Sequence, residues 1–86
     1  MPTISVFFGV TIRMYYDDHA PPHFHAYYGE HAAVVEIDTL RVRYGQLPRR
    51  AIALVLEWAA IHRVELMANW WLADTHQPLN PIEPLE

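Results

Sequence analysis

Residues 3–16 read TISVFFGVTIRMYY, and this stretch decides how the fold begins. Apolar and aromatic side chains occupy its even-numbered positions, and polar side chains occupy several of its odd-numbered positions. This period-two pattern is typical of a half-buried β-strand. The apolar parity comprises Ile4, Val6, Phe8, Val10, Ile12, Met14 and Tyr16. Gly9 lies where a bulge or tight bend is expected, so the stretch predicts two strands or one long bent strand.

The next segments along the chain predict three further strands. HFHAYY at residues 23–28 is short and β-prone, AAVVEI follows at residues 32–37, and residues 40–44 alternate between apolar side chains and arginine. Gly29 followed by Glu30 predicts a hairpin turn between the first two of these strands. We therefore expect a mainly antiparallel sheet of four or five strands.

A long helix is predicted to start at Pro48 and to run to about Ala73, because proline favours the first helical position. At 100° per residue, one apolar face should lie on the sheet. That face comprises Ile52, Val55, Leu56, Ala59, Leu66 and Trp70. The predicted fold class is α+β, with this one helix packed on the sheet. We expect a single domain over residues 1–76 and an extended proline-rich tail over residues 77–86.

The predicted helix carries more apolar surface than one sheet can cover. A second strip lies roughly 120° or more from the centre of the first and comprises Leu54, Trp58, Ile61 and Leu72. Exposed apolar patches of several hundred Å² usually mark an interface. The sequence therefore predicts a homodimer, or a complex with a small protein partner, in which Trp58 and Trp71 act as anchors.

Composition excludes several classes of protein. The chain has 86 residues, no cysteine, 52% hydrophobic residues and a formal net charge of −4. These values exclude a second core, a disulfide framework and a disordered chain. Charged residues interrupt every apolar stretch and no signal peptide is evident, so we expect a cytoplasmic protein without a membrane partner. All six basic residues are arginines, which disfavours general nucleic-acid binding but leaves a local phosphate site open.

The densest chemistry lies in DDHAPPHFHA, residues 17–26. His23 and His25 should share one face of a strand, and His19 can fold back from a loop that two prolines stiffen. Three histidines are the ligand set of a catalytic zinc site, so His19, His23 and His25 are candidate ligands of a divalent metal. The same residues could act as an acid and a base without a metal. A purely structural role, with hydrogen bonds to Asp17 and Asp18, stays open.

Arg49 and Arg50 occupy the first helical turn, where positive charge opposes the helix dipole. This unfavourable placement favours a site for a phosphate or a partner carboxylate. A salt bridge to nearby acidic residues is the alternative. Arg13 would add a third cation if it shares a face with the histidines.

The chain resembles a small bacterial family, Domain of Unknown Function 4160. The resemblance rests on MPTIS, IRMYYDDHAPPHFHAYYGE, LPRRAIALVLEWAAIHRVELMANW and IEPL, which together cover nearly the whole chain. The family's characteristic positions fall on Asp18, His19, Pro22, His23, His25, Arg49, Arg50, Glu57 and Trp58. The resemblance implies a neighbouring partner of another family, Domain of Unknown Function 2442, in a toxin–antitoxin-like pair.

The leading hypothesis is one half of such a two-gene module, with RNA as a possible substrate. If the protein is an enzyme, His19, His23 and His25 would supply acid–base chemistry, and Arg49 and Arg50 would hold the phosphate. The alternatives are a binding or regulatory module without catalysis, and a small histidine metal-binding protein.

Overall fold

A computed structural model describes residues 2–86; residue 1, with which the predicted domain 1–76 begins, lies outside the described residues. The five strands are β1 (Thr3–Phe7), β2 (Val10–Arg13), β3 (His23–Tyr28), β4 (His31–Glu36) and β5 (Val42–Gln46). They form one antiparallel sheet in the order of the chain. Two helices follow, α1 (Arg49–Ile61) and α2 (Arg63–Asp74). The predicted α+β class is confirmed.

The first hairpin shows why the alternation of residues 3–16 is not continuous in space. Phe8 and Gly9 form a two-residue turn with positive φ angles of 47° and 82°, as tight hairpins require. The register of β1 also shifts between Thr3 and Ser5. Phe7 is consequently buried, whereas Val6 and Phe8 are exposed. The strand-pair interpretation is confirmed, but the prediction that Val6 and Phe8 share the apolar face is wrong.

Strand β5 lies two residues further along the chain than the sequence predicts. Leu40 adopts a φ of 58° and belongs to the preceding turn. Gly45, with a φ of 73°, lies inside the strand, where a Cβ would come within 2.1 Å of the Ala32 carbonyl oxygen. Only glycine fits there, because both the φ angle and the close backbone approach exclude a side chain.

The predicted long helix is divided at His62. This residue has φ −112° and ψ 25°, and its N–H is shared between the carbonyl oxygens of Trp58 and Ala59. The imidazole Nδ1 lies 2.5 Å from a carboxylate oxygen of Glu65, in the first turn of α2. The negative charge of Glu65 in the first turn interacts favourably with the dipole of α2.

Both helices cover one face of the sheet, and Trp58 lies at the centre of this contact. Its ring packs against Phe7 and Phe24, with centroid separations of 5.3 and 6.0 Å, and the side chain has no solvent exposure. Its Nε1–H donates a hydrogen bond of 2.8 Å to the carbonyl oxygen of Glu83. The prediction that Trp58 anchors a dimer is therefore wrong, because the sheet and the C-terminal tail bury a wider arc of the helix than a sheet alone.

Further hydrogen bonds hold the tail after α2 to the domain. The buried side chain of Asn69 donates to the carbonyl oxygen of Asn80 and accepts from its N–H, at 2.9 and 2.8 Å. The N–H of Ile82 donates to the carbonyl oxygen of Ile4 in the edge strand β1. Ile82 is thereby buried in the core.

The outer side of the helices leaves apolar side chains in solvent. Ile61 of the predicted second strip is 63% exposed, and Val64 and Trp71, which lie outside that strip, are 84% and 59% exposed. Within residues 2–86, neither helix has the length and hydropathy needed to cross a membrane.

Candidate metal centre

Strand β3 positions two histidines on the same face, and α2 reaches the first of them, because the ring of Trp70 lies 5.2 Å from the ring of His23, centroid to centroid. Phe24 and Ala26 point into the core, so His23 and His25 project from the opposite face. Their ring centroids are 5.4 Å apart, as the spacing of two residues predicts. The loop before β3 then returns Asp18 to the same place.

One carboxylate oxygen joins the two rings. Oδ2 of Asp18 lies 2.8 Å from Nε2 of His23 and 3.2 Å from Nε2 of His25. One ligand atom from each residue lies within 4.8 Å of the other two. The side chains of Asp18, His23 and His25 are only 20%, 10% and 22% exposed. The three groups therefore form a compact, partly buried cluster, which we call the Asp–His–His cluster.

A backbone contact determines how His23 presents its ring. Its Nδ1 lies 2.8 Å from the carbonyl oxygen of Pro21, which can only accept a hydrogen bond, so Nδ1 carries a hydrogen. This assignment follows from the hydrogen-bond network. In the neutral ring, Nε2 then presents a lone pair toward Asp18. At 2.8 Å the Nε2 atom and the carboxylate oxygen share a hydrogen bond, which needs a second proton on the ring; a metal ion in place of that proton needs the two atoms further apart.

The cluster favours the ionised form of Asp18. Partial burial acts to raise the pKa of this carboxyl group, but hydrogen bonds from His25 and His23 and the positive charge of His23 outweigh it. The net effect is a pKa below the usual value of 3.8. The cluster thus holds a carboxylate, the form in which aspartate binds a metal.

Two tyrosines hold the ring of His25. The Tyr15 ring meets it edge-on at a centroid separation of 4.6 Å, and the Tyr27 ring is stacked at 6.4 Å. The two hydroxyl groups are 2.6 Å apart. Burial and the hydrogen bond with Tyr15 raise the pKa of Tyr27 to about 12. Tyr27 therefore stays neutral at ordinary pH, and the two rings restrict the rotation of His25.

The Asp–His–His cluster opens into a cavity of about 210 Å³. The remaining walls come from the loop and from the two strands beyond β3, and comprise His19, Ala20, Val34, Arg43 and Tyr44. Nε of Arg43 lies 3.3 Å from a carboxylate oxygen of Glu36. A ligand in this cavity would meet both the cluster and a guanidinium group.

The structure places His19 beside the cluster. Its side chain is 96% exposed, and its Nδ1 lies 3.6 Å from the other carboxylate oxygen of Asp18. Asp18, which the sequence suggested only as a hydrogen-bond partner, joins His23 and His25 instead. The available signal was an acidic residue five positions before His23, on a loop that the prolines stiffen. A ligand role for His19 stays a prediction.

The predicted arginines are not brought together with the histidines. Arg49 and Arg50 lie in the exposed first turn of α1. Arg50 lines a different cavity, of about 160 Å³, whose other walls are Phe8, Tyr28, Pro48, Ala51 and Leu54. Arg13 does share the histidine face, since it pairs in register with His25. A catalytic role for Arg49 and Arg50 stays a prediction.

The family comparison agrees with the motifs around this cluster. A family described as Domain of unknown function (DUF4160) matches residues 9–71. The chain belongs to this family. The matched region includes the segment from Asp18 to His25, and both helices as far as Trp71. No curated protein and no solved structure matches the chain.

Proposed function

We propose that this protein is a divalent-metal-binding domain and that Asp18, His23 and His25 are its ligands. The observation that carries this proposal is the hydrogen bond from Nδ1 of His23 to the Pro21 carbonyl oxygen. Metal-binding histidines almost always donate their second ring N–H in this way, which fixes the tautomer and the ring orientation. The Nε2 lone pair of His23 is then directed at the other two ligand atoms.

The spacing of the donor atoms fits such a metal. Zinc binds histidine nitrogen and carboxylate oxygen at about 2.0–2.2 Å, so tetrahedral ligand atoms are about 3.3 Å apart. The distance between Asp18 and His25 is already 3.2 Å, and the distance between Asp18 and His23 has to lengthen from 2.8 Å by about 0.5 Å. Asp18 lies on a loop, which makes this small movement feasible.

The donor set also indicates the kind of site. Two histidines and one carboxylate are the ligands of catalytic zinc sites and of non-haem iron(II) sites, both of which keep positions open for water or substrate. The open side of the Asp–His–His cluster faces the cavity. We therefore propose an accessible metal centre rather than a closed structural site.

Calorimetric titration with zinc chloride tests the proposal. Wild-type protein should bind one zinc ion, and Asp18→Asn, His23→Ala and His25→Ala should each abolish stoichiometric binding. His31→Ala is the matched control, because it removes an exposed imidazole at the start of β4, outside the cluster, and should bind zinc as wild type does. Circular dichroism checks that each variant is folded. Wild-type protein without a zinc site, or His25→Ala with unchanged affinity, would contradict the proposal.

A second candidate function is binding to another copy of the chain. Ile61, Val64 and Trp71 remain exposed along the outer side of the two helices, and a symmetric dimer is the commonest way to bury such a strip. Sedimentation equilibrium should show a dimer that Val64→Glu dissociates; a wild-type monomer at high concentration would contradict it. The toxin–antitoxin-like pairing, a Domain of Unknown Function 2442 partner and RNA as substrate rest on the family resemblance and stay predictions.

A further inference from the structure

The cavity beside the Asp–His–His cluster is built along one row of the sheet. Register pairs His25 with Val34 on β4, and Val34 with Tyr44 on β5. Paired residues of antiparallel strands project from the same face. The row therefore leads from a proposed metal ligand, across a small apolar side chain, to an aromatic ring that is 65% exposed at the rim.

Arg43 supplies a second positive group in this cavity. Its Nε is paired with Glu36, and its guanidinium carbon lies 5.5 Å from the centroid of the Tyr44 ring. These two contacts restrict the side chain and leave the terminal amino groups as donors. A guanidinium held in this way matches the oxygens of a phosphate or carboxylate.

We infer that the centre binds a phosphate monoester of a flat, aromatic group. The phosphate takes the open position of the metal and hydrogen bonds to Arg43, and the ring lies against Val34 and Tyr44. A phosphate has three terminal oxygens, so it can contact the metal and the guanidinium together with different oxygens. This inference rests on the proposed metal-binding function.

The size of the cavity sets which part of the ligand is enclosed. Its volume of about 210 Å³ is below the roughly 300–1,000 Å³ of pockets that surround a drug-sized molecule. The cavity therefore takes the phosphate end, and the aromatic part rests at the rim. The high exposure of Tyr44 agrees with this arrangement, because a rim residue is accessible before the ligand binds.

Titration of the zinc-loaded protein with phenyl phosphate tests the inference by calorimetry. Arg43→Gln should weaken binding roughly 10- to 100-fold, because it removes charge-assisted hydrogen bonds. Tyr44→Leu should weaken it about tenfold through lost stacking, and should not change the affinity for inorganic phosphate. The matched control is Arg41→Gln, which removes the same charge from the neighbouring turn without lining the cavity. It should bind phenyl phosphate as wild type does.

Separate outcomes address the two proposals. Arg43→Gln and Tyr44→Leu should bind zinc with the affinity of wild-type protein, since neither residue is a proposed ligand. If wild-type protein does not bind zinc, the metal-binding function itself is overturned. If zinc binds but phenyl phosphate binds equally to Arg43→Gln or to the zinc-free protein, the inference is overturned and the metal function stands. Tighter binding of benzoate than of phenyl phosphate would likewise overturn the choice of phosphate.

Discussion

The substitution Trp58→Phe tests how the tail and the sheet together bury the helices. The indole has no solvent exposure, packs on Phe7 and Phe24, and donates its N–H to the carbonyl oxygen of Glu83. Phenylalanine retains an aromatic ring in the core but removes the hydrogen bond and part of the volume. The substitution should therefore destabilise both the core and the attachment of the tail.

The expected loss has two parts. Removing the hydrogen bond to Glu83 costs about 1 kcal/mol. The smaller ring vacates roughly 40 Å³, which at about 24 cal/mol per Å³ adds about 1 kcal/mol. Together the free energy of unfolding should fall by about 2 kcal/mol, which lowers Tm by roughly 8–16 °C for a domain of this size.

Thermal and urea unfolding followed by circular dichroism measure this loss, and Trp71→Phe is the matched control. The same change at Trp71, which is 59% exposed, should alter the free energy of unfolding by no more than about 0.5 kcal/mol. Equal losses in the two variants would refute the reasoning. A loss below about 0.5 kcal/mol at Trp58 would show that the tail does not dock on the indole.

Three further predictions concern the sheet and the Asp–His–His cluster. Gly45→Ala should destabilise the domain by at least about 2 kcal/mol in urea unfolding, because the new Cβ meets the Ala32 carbonyl oxygen at 2.1 Å; a near-neutral result would contradict this close approach of the two backbones. Tyr15→Phe should lower the pKa of Tyr27 from about 12, although not fully to 10.0 because burial remains, and ultraviolet titration checks this; an unchanged pKa would exclude the hydroxyl contact. Asp18 has a lowered folded-state pKa, so its carboxylate contributes stability above pH 3.8 that is lost as pH falls through the folded value. Wild type should therefore exceed Asp18→Asn in stability at neutral pH, and the difference should disappear in acid; a difference that persists there would have another origin.

Much of the Asp–His–His cluster could be predicted from the sequence because it depends on local geometry. Side chains two residues apart on a strand share a face, which places His23 beside His25 whatever the rest of the fold. The loop that carries Asp18 is different, because its path depends on contacts far along the chain. The side chain of Asp18 therefore lies in the cluster, although the sequence suggested the more exposed His19 as the third ligand.

The sequence alone determined the class of the fold, through the spacing of its apolar residues and the residues that form its turns. The alternation of residues 3–16, the turn at Gly29 and the helix start after Pro48 are short-range features that fix backbone geometry within a few residues. Tertiary structure alone decided which of two similar tryptophans is buried. Trp58 and Trp71 both lie outside the helix face that was predicted to meet the sheet, but the sheet and the returning tail together bury Trp58 and leave Trp71 exposed. Burial depends on what long-range contacts bring against a side chain, and periodicity along one helix does not contain that information.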